Sequence, residues 1–195
     1  MRVSEHRVLT KRIGVILALL VSVAQLPEAQ EYVKVNTLST LIAMPGVAWE
    51  RPLRHERLTF QLDATASFWH SVDGAPLQFL MIIPEWRLHR RSSRLGPYLG
   101  AHLGLAGFRL QKWNYRGTTL YQEGFSFLGG VSVGYKWELS PHWMLDAFVG
   151  GGNQQALYKG YDWTTGVRYD SASAWNQSAE WLPYRIGVQL GYRIR

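Results

Sequence analysis

The sequence predicts an all-β protein, an eight-stranded antiparallel up-and-down transmembrane β-barrel. Three observations predict it. Apolar residues alternate with small or polar ones over stretches longer than the five or so residues of an ordinary soluble strand. The face opposite the apolar one is rich in Gly and Ser rather than in Lys and Glu, as suits the narrow interior of a small barrel. After the first 24 residues, no segment holds the roughly 20 consecutive apolar residues of a membrane helix.

Residues 1–24 read as a cleaved secretory signal peptide. Arg2, Arg7, Lys11 and Arg12 precede an uncharged run from Ile13 to Ala24, and Ser22 and Ala24 supply the small residues of a cleavage site. Cleavage after Ala29 is the alternative. The run is too short for a bilayer span of roughly 20 residues. Loss of four bases and one acid lowers the formal charge from +7 to +4, and no polybasic run with interleaved aromatics remains to bind nucleic acid. Residues 25–195 then form one domain, the barrel. The chain has no cysteine, so disulfides and thiolate metal sites are excluded.

Alternation places eight strands at about 32–42, 46–53, 57–70, 77–89, 97–112, 121–138, 143–158 and 181–195. The last shows it best: Tyr184, Ile186, Val188, Leu190, Tyr192 and Ile194 are bulky, while Arg185, Gly187, Gln189, Gly191 and Arg193 between them are small or polar. From Phe125 to Trp137 the pattern repeats, interrupted by Leu128 on the small-residue face. The connections at 54–56, 90–96 and 140–142 are short, whereas 113–120 and 159–180 are longer and polar. Short periplasmic turns and longer external loops are the rule for outer-membrane barrels. The first external connection, near Ala43–Pro45, is shorter than that rule expects. Trp49, Trp86, Tyr98, Trp137, Trp143 and Tyr192 fall toward the periplasmic ends of strands; Trp69, Trp113, Tyr121, Tyr158 and Trp181 fall toward the outer ends. Such a distribution resembles two interfacial girdles.

The stretch "VKVNTLSTLIAMPGVAWERPL" resembles the opening of an uncharacterised Bacteroidetes outer-membrane β-barrel family, known only as a domain of unknown function. "IIPEWRLHR", "GAHLGLAG", "GGVSVGYKWELSPHWMLDAFVGGG" and the closing alternating strand follow the order of that family over most of residues 32–195. The resemblance implies the fold and an outer-membrane location, and an association with fimbrial loci. It implies no activity.

Strand parity directs Lys34, Asn36, Glu50, Asp63, Glu85, Arg87, His102, Lys136, Asp146, Arg185 and Arg193 into the lumen. Acids and bases nearly balance there, as buried charges must. The reading is a structural plug. Paired ionisable groups also mark catalytic or conducting sites, so a lipid hydrolase or acyltransferase and a narrow channel are the alternatives. For the enzyme, His102 and Ser132 share the lumen with Glu85 and Asp146 as orienting carboxylates, but no lipase, protease or acyltransferase signature accompanies them. His6, His55, His70, His89, His102 and His142 lack metal-ligand spacing, so no metal or cofactor is expected.

The turns at Arg54–Arg57 and His89–Arg94 are basic, which fits solvated turns or attraction to anionic headgroups. Tyr161, Trp163, Tyr169 and Trp175 sit in the longest external loop, either as recognition elements or folded back over the barrel mouth. The expectation is therefore a non-enzymatic outer-membrane barrel serving as a scaffold, surface-interaction element or fimbria-associated accessory. Its expected partners are membrane lipid and a surface or periplasmic protein.

Overall fold

The computed structural model describes residues 30–72, 75–169 and 174–194. The signal peptide read over 1–24 lies outside them, as does the side chain of Trp113. Eight antiparallel strands close into a barrel in sequence order. They are β1 (Tyr32–Asn36), β2 (Gly46–Pro52), β3 (Leu58–Val72), β4 (Ala75–His89), β5 (Gly96–Leu110), β6 (Leu120–Glu138), β7 (Trp143–Asp162) and β8 (Asn176–Arg193). Closure comes from β1 pairing with β8, with Tyr32 opposite Arg193 and Asn36 opposite Gln189. Both described chain ends therefore lie at one end of the barrel, called here the near end.

Strand parity survives almost everywhere, because each β5–β6 and β6–β7 pair runs without a slip over its full length. Leu103, Leu105, Phe127, Val131, Val133 and Ile186 face outward and are each more than half exposed. Lys34, Glu85, Arg87 and Asp146 face inward and are fully buried. The usual polarity of a soluble fold is inverted.

Three features differ from the sequence expectation. First, the strand expected over 32–42 ends at Asn36, and Thr37–Leu41 forms a short helix, α1. The Asn36 side chain accepts from the backbone N–H of Ser39, the Thr40 hydroxyl donates to the Asn36 carbonyl at 2.7 Å, and the Thr37 hydroxyl donates to the Val188 carbonyl at 2.8 Å. Polar residues that cap locally thus outcompete the ladder. With α1 included, the first far-end connection is no longer unusually short.

Second, β7 and β8 run well past their expected far ends, so the loop placed at 159–180 shrinks to the segment after Asp162 and before Asn176. Third, register slips between Gly150 and Gly152, where Gly150 opposes Arg185 and Gly152 opposes Leu182. The slip accommodates Pro183, which has no N–H for the ladder. It also turns Tyr184 from the outward face, where alternation had put it, toward the lumen: its hydroxyl lies 2.9 Å from Nε2 of His102.

The wall is not equally tall all round. β2 pairs with β3 only from Thr59 to Thr65, and β1 pairs with β8 only from Gln189 to Arg193. Beyond those points, among the described residues, no strand lies between residues 66–72 of β3 and residues 176–188 of β8. The base of this gap is covered by α1 and the loop after it, through the Thr37–Val188 bond and a 3.0 Å bond from the Ala66 N–H to the Pro45 carbonyl.

Candidate functional site

The near half of the lumen holds a network drawn from all eight strands. Lys34 of β1 donates to Glu50, to Asp146 at 2.6 Å and to the Gln61 amide oxygen at 2.9 Å. Arg87 of β4 extends one guanidinium nitrogen, Nη1, to Asp146 at 2.6 Å and Glu50 at 3.3 Å, while its Nε donates to Glu85. Lys136 of β6 donates to Glu50. Arg185 of β8 donates to Glu85 at 2.9 Å, and the Ser132 hydroxyl donates to the same carboxylate. Tyr98 donates to Asp146 at 2.8 Å, and its ring lies 4.6 Å below the Arg87 guanidinium.

Formal charge balances within this cluster. Lys34, Arg87, Lys136 and Arg185 face Glu50, Asp63, Glu85 and Asp146, all at most 5% exposed. Charges so dehydrated persist only when each is met by an opposite charge or a donor. Asp63 is met by neither base nor guanidinium among the described residues. It accepts from Gln189 at 2.7 Å, Thr65 at 3.2 Å and Gln61 at 3.4 Å. Arg193 keeps the inward parity of Gln189 and Gly191 and lies half-buried at the near rim, opposite Tyr32.

Small residues make room for these long side chains. A Cβ on Gly100 would meet the Glu85 carboxylate and the Ser132 hydroxyl, and one on Gly134 would meet the Tyr98 ring. Tyr98 is held between Arg87, Lys136 and Asp146, so it has no route of retreat. Gly134→Val is therefore expected to cost about 1–3 kcal/mol by overfilling. Gly129→Ala, whose Cβ would meet only Leu103 at 3.6 Å on the outer face, should be near neutral. Denaturant titration of the two variants checks the difference.

The residues set out as a hydrolytic constellation do not assemble as one. Ser132 donates to Glu85, and His102 engages Tyr184 rather than Ser132. Nδ1 of His102 stands 3.9 Å from Glu85, beyond hydrogen-bond reach.

Alternation had placed Tyr98 in the near girdle, but it is buried in the network; likewise Tyr158 lies on the lumen face of β7, opposite Gly124, with the Lys112 ammonium 5.5 Å from its ring. Gln61, Tyr98 and Gln189 are the network members that a search for charges passes over. Parity was the signal that could have found them.

The aromatics of the far loop fold back. Tyr161 stacks on Tyr121 at 5.9 Å, and Trp163 meets the same ring edge-on at 5.6 Å with the Arg109 guanidinium 5.0 Å away. Trp175 packs against Phe125 on the outer wall, beneath Lys159 at 4.7 Å. Tyr169 covers Gly160 on the lumen side and contacts Tyr115. Trp163 and Trp175 nonetheless keep 37% and 44% of their surface exposed.

Residues 14–194 match the model of a protein family described as "Protein of unknown function (DUF3575)". No curated protein sequence matches the chain. Among solved structures it is similar to the NMR solution structure of the E. coli Outer Membrane Protein W. The two share 16% identity with a TM-score of 0.46, over 87% of this chain and 100% of that one.

Proposed function

The chain belongs to that family of unknown function, and we propose, from its own residues, that it is a non-enzymatic integral outer-membrane barrel acting as a scaffold or surface-interaction element. The observation that carries this reading is inverted polarity: ionic groups fill the near half of the lumen while bulky apolar side chains cover the outside. Exposed apolar surface on that scale is unfavourable in water and favourable in hydrocarbon. A closed barrel satisfies its backbone where no water can, and barrels of this kind span bacterial outer membranes.

The network supports a structural lumen. It joins β1 through β8 across the barrel axis, and each of its charged side chains meets an opposite charge or a hydrogen-bond donor among the described residues. The Ser132 hydroxyl is committed to Glu85 and His102 Nε2 to Tyr184, a pairing that gives no support to a lipid hydrolase or acyltransferase. Half-exposed Trp163 and Trp175 at the far rim support a docking role toward a surface partner, such as a component of a fimbrial assembly. Clusters of partly exposed aromatics are common anchors in interfaces.

The test is insertion and conductance. Purified chain added to phospholipid vesicles should become protease-resistant and show a heat-modifiable gel mobility. In planar bilayers it should produce no discrete conductance steps. A monodisperse, lipid-free fold in water would overturn the membrane reading, and stable single-channel steps would overturn the plugged lumen.

A further inference from the structure

The far half of the lumen is chemically unlike the near half. Inward parity on β4 continues beyond Glu85 to Ile83, Met81 and Phe79, and on β5 beyond His102 to Gly104, Ala106 and Phe108. These positions oppose one another: Phe79 pairs with Phe108 and Met81 with Ala106. On β6, Leu128 is the inward residue opposite Gly104. A Cβ on Gly104 would touch both Ile83 and Leu128, which places all three together inside the barrel. Leu128, the interruption in the small-residue face, belongs to this apolar zone. Phe79, Met81, Ala106 and Phe108 are half-buried although they point inward, so the lumen stays accessible along the β4–β5 side, whereas the inward Ile83, Leu128, Ser126 and Ala156 are buried.

The zone has a floor, a roof and an open side. Below it lie the ionic network and the His102–Tyr184 contact. Above it, Lys112 pairs with Glu180 and Tyr115 meets Tyr169. The open side is the gap between β3 and β8. Large apolar groups border that gap: Leu41 is 84% exposed, Phe68 68% and Trp181 80%. In the membrane reading, the gap opens onto hydrocarbon rather than water.

We propose that this far half-lumen is a laterally open chamber that binds the hydrocarbon chain of a lipid, admitted between β3 and β8. The inference rests on the membrane reading above. The chamber's β4–β5 side is aliphatic and aromatic, and on the β6–β7 side the inward Gln154 amide donates to the Ser126 hydroxyl at 3.2 Å, so that the polar pair satisfies itself and an alkyl chain meets the apolar side. The polar floor sets the depth to which a chain descends. Two donors of such a chain share this chemistry, a free fatty acid and a bilayer phospholipid.

The experiment uses the full chain inserted in phosphatidylcholine vesicles, with cis-parinaric acid as one probe and a pyrene-acyl phosphatidylcholine as the other. Energy transfer from tryptophan should saturate with a probe that enters the chamber, since Trp69 and Trp181 flank the gap. Ala106→Trp fills the lumen from the inside and should weaken saturable binding by about tenfold or more. Leu103→Trp adds the same ring on the outer wall and should leave binding unchanged. Met81→Gln keeps the volume but makes the lining polar, so it tests the chamber even if Ala106→Trp folds poorly; a severalfold loss is expected. Saturation by parinaric acid alone identifies a free acid, and saturation by both identifies a bilayer lipid chain. Equal transfer in wild type, Leu103→Trp and Met81→Gln would mean that the probes lie only around the barrel, which overturns the chamber while leaving the membrane reading intact. Failure of the wild type to enter vesicles overturns both.

Discussion

Arg87→Met should destabilise the barrel by about 3–5 kcal/mol, the range for removing one partner of a buried ionic network. Arg87 is fully buried and touches Glu85, Asp146 and Glu50 at once. Methionine fills much of the same volume, so the loss reflects charge more than cavity. Three carboxylates would then face Lys34, Lys136 and Arg185 together with an Asp63 already held by amides, and one negative charge would be left uncompensated. Arg87→Lys should fall between, because an ammonium keeps the charge but cannot span the same acids as a planar fork. The double variant Arg87→Met/Glu85→Gln restores neutrality and should recover a substantial part of the loss, a coupling that denaturant titration measures directly. A single-variant cost under about 1 kcal/mol, as at an exposed pair, would show that the network is not dehydrated.

Arginine on the outer wall gives the second large effect. Val131 is 58% exposed near the middle of β6, among Phe127, Val133 and Leu103. At mid-bilayer, Val131→Arg should cost about 2–4 kcal/mol, and Ile194→Arg at the near rim about 0–1 kcal/mol. Val188 is a poorer probe than alternation alone makes it, because its carbonyl is bonded by Thr37 and α1 lies against β8 there. Folding titrations into vesicles compare the two variants. Equal and negligible costs would argue that water, not lipid, surrounds the barrel.

Alternation was legible because a barrel wall has only two faces, and each side chain along β5, β6 and β7 must choose one. That periodicity gave the strand number, the inward direction of Lys34, Glu50, Glu85, Arg87, Lys136, Asp146 and Arg185, and the apolar exterior. It failed where something other than period decided the backbone. At Asn36–Thr40, capping bonds made a helix from residues with strand-like spacing. At Pro183, a missing N–H shifted register and swung Tyr184 inward.

The sequence by itself determined the fold class and which charges share the lumen, since both follow from local period and from the requirement that buried charges balance. Only the tertiary structure decided who pairs with whom: Arg87 reaching Asp146 across the barrel depends on shear and register, which no single strand encodes. It also decided that Asp63 is served by amides, that Ser132 turns to Glu85 and not to His102, and that the far-loop aromatics lie back on the wall. The height of the wall was likewise decided in three dimensions, because a gap between β3 and β8 exists only once both ends of β1 and β2 are fixed against their neighbours.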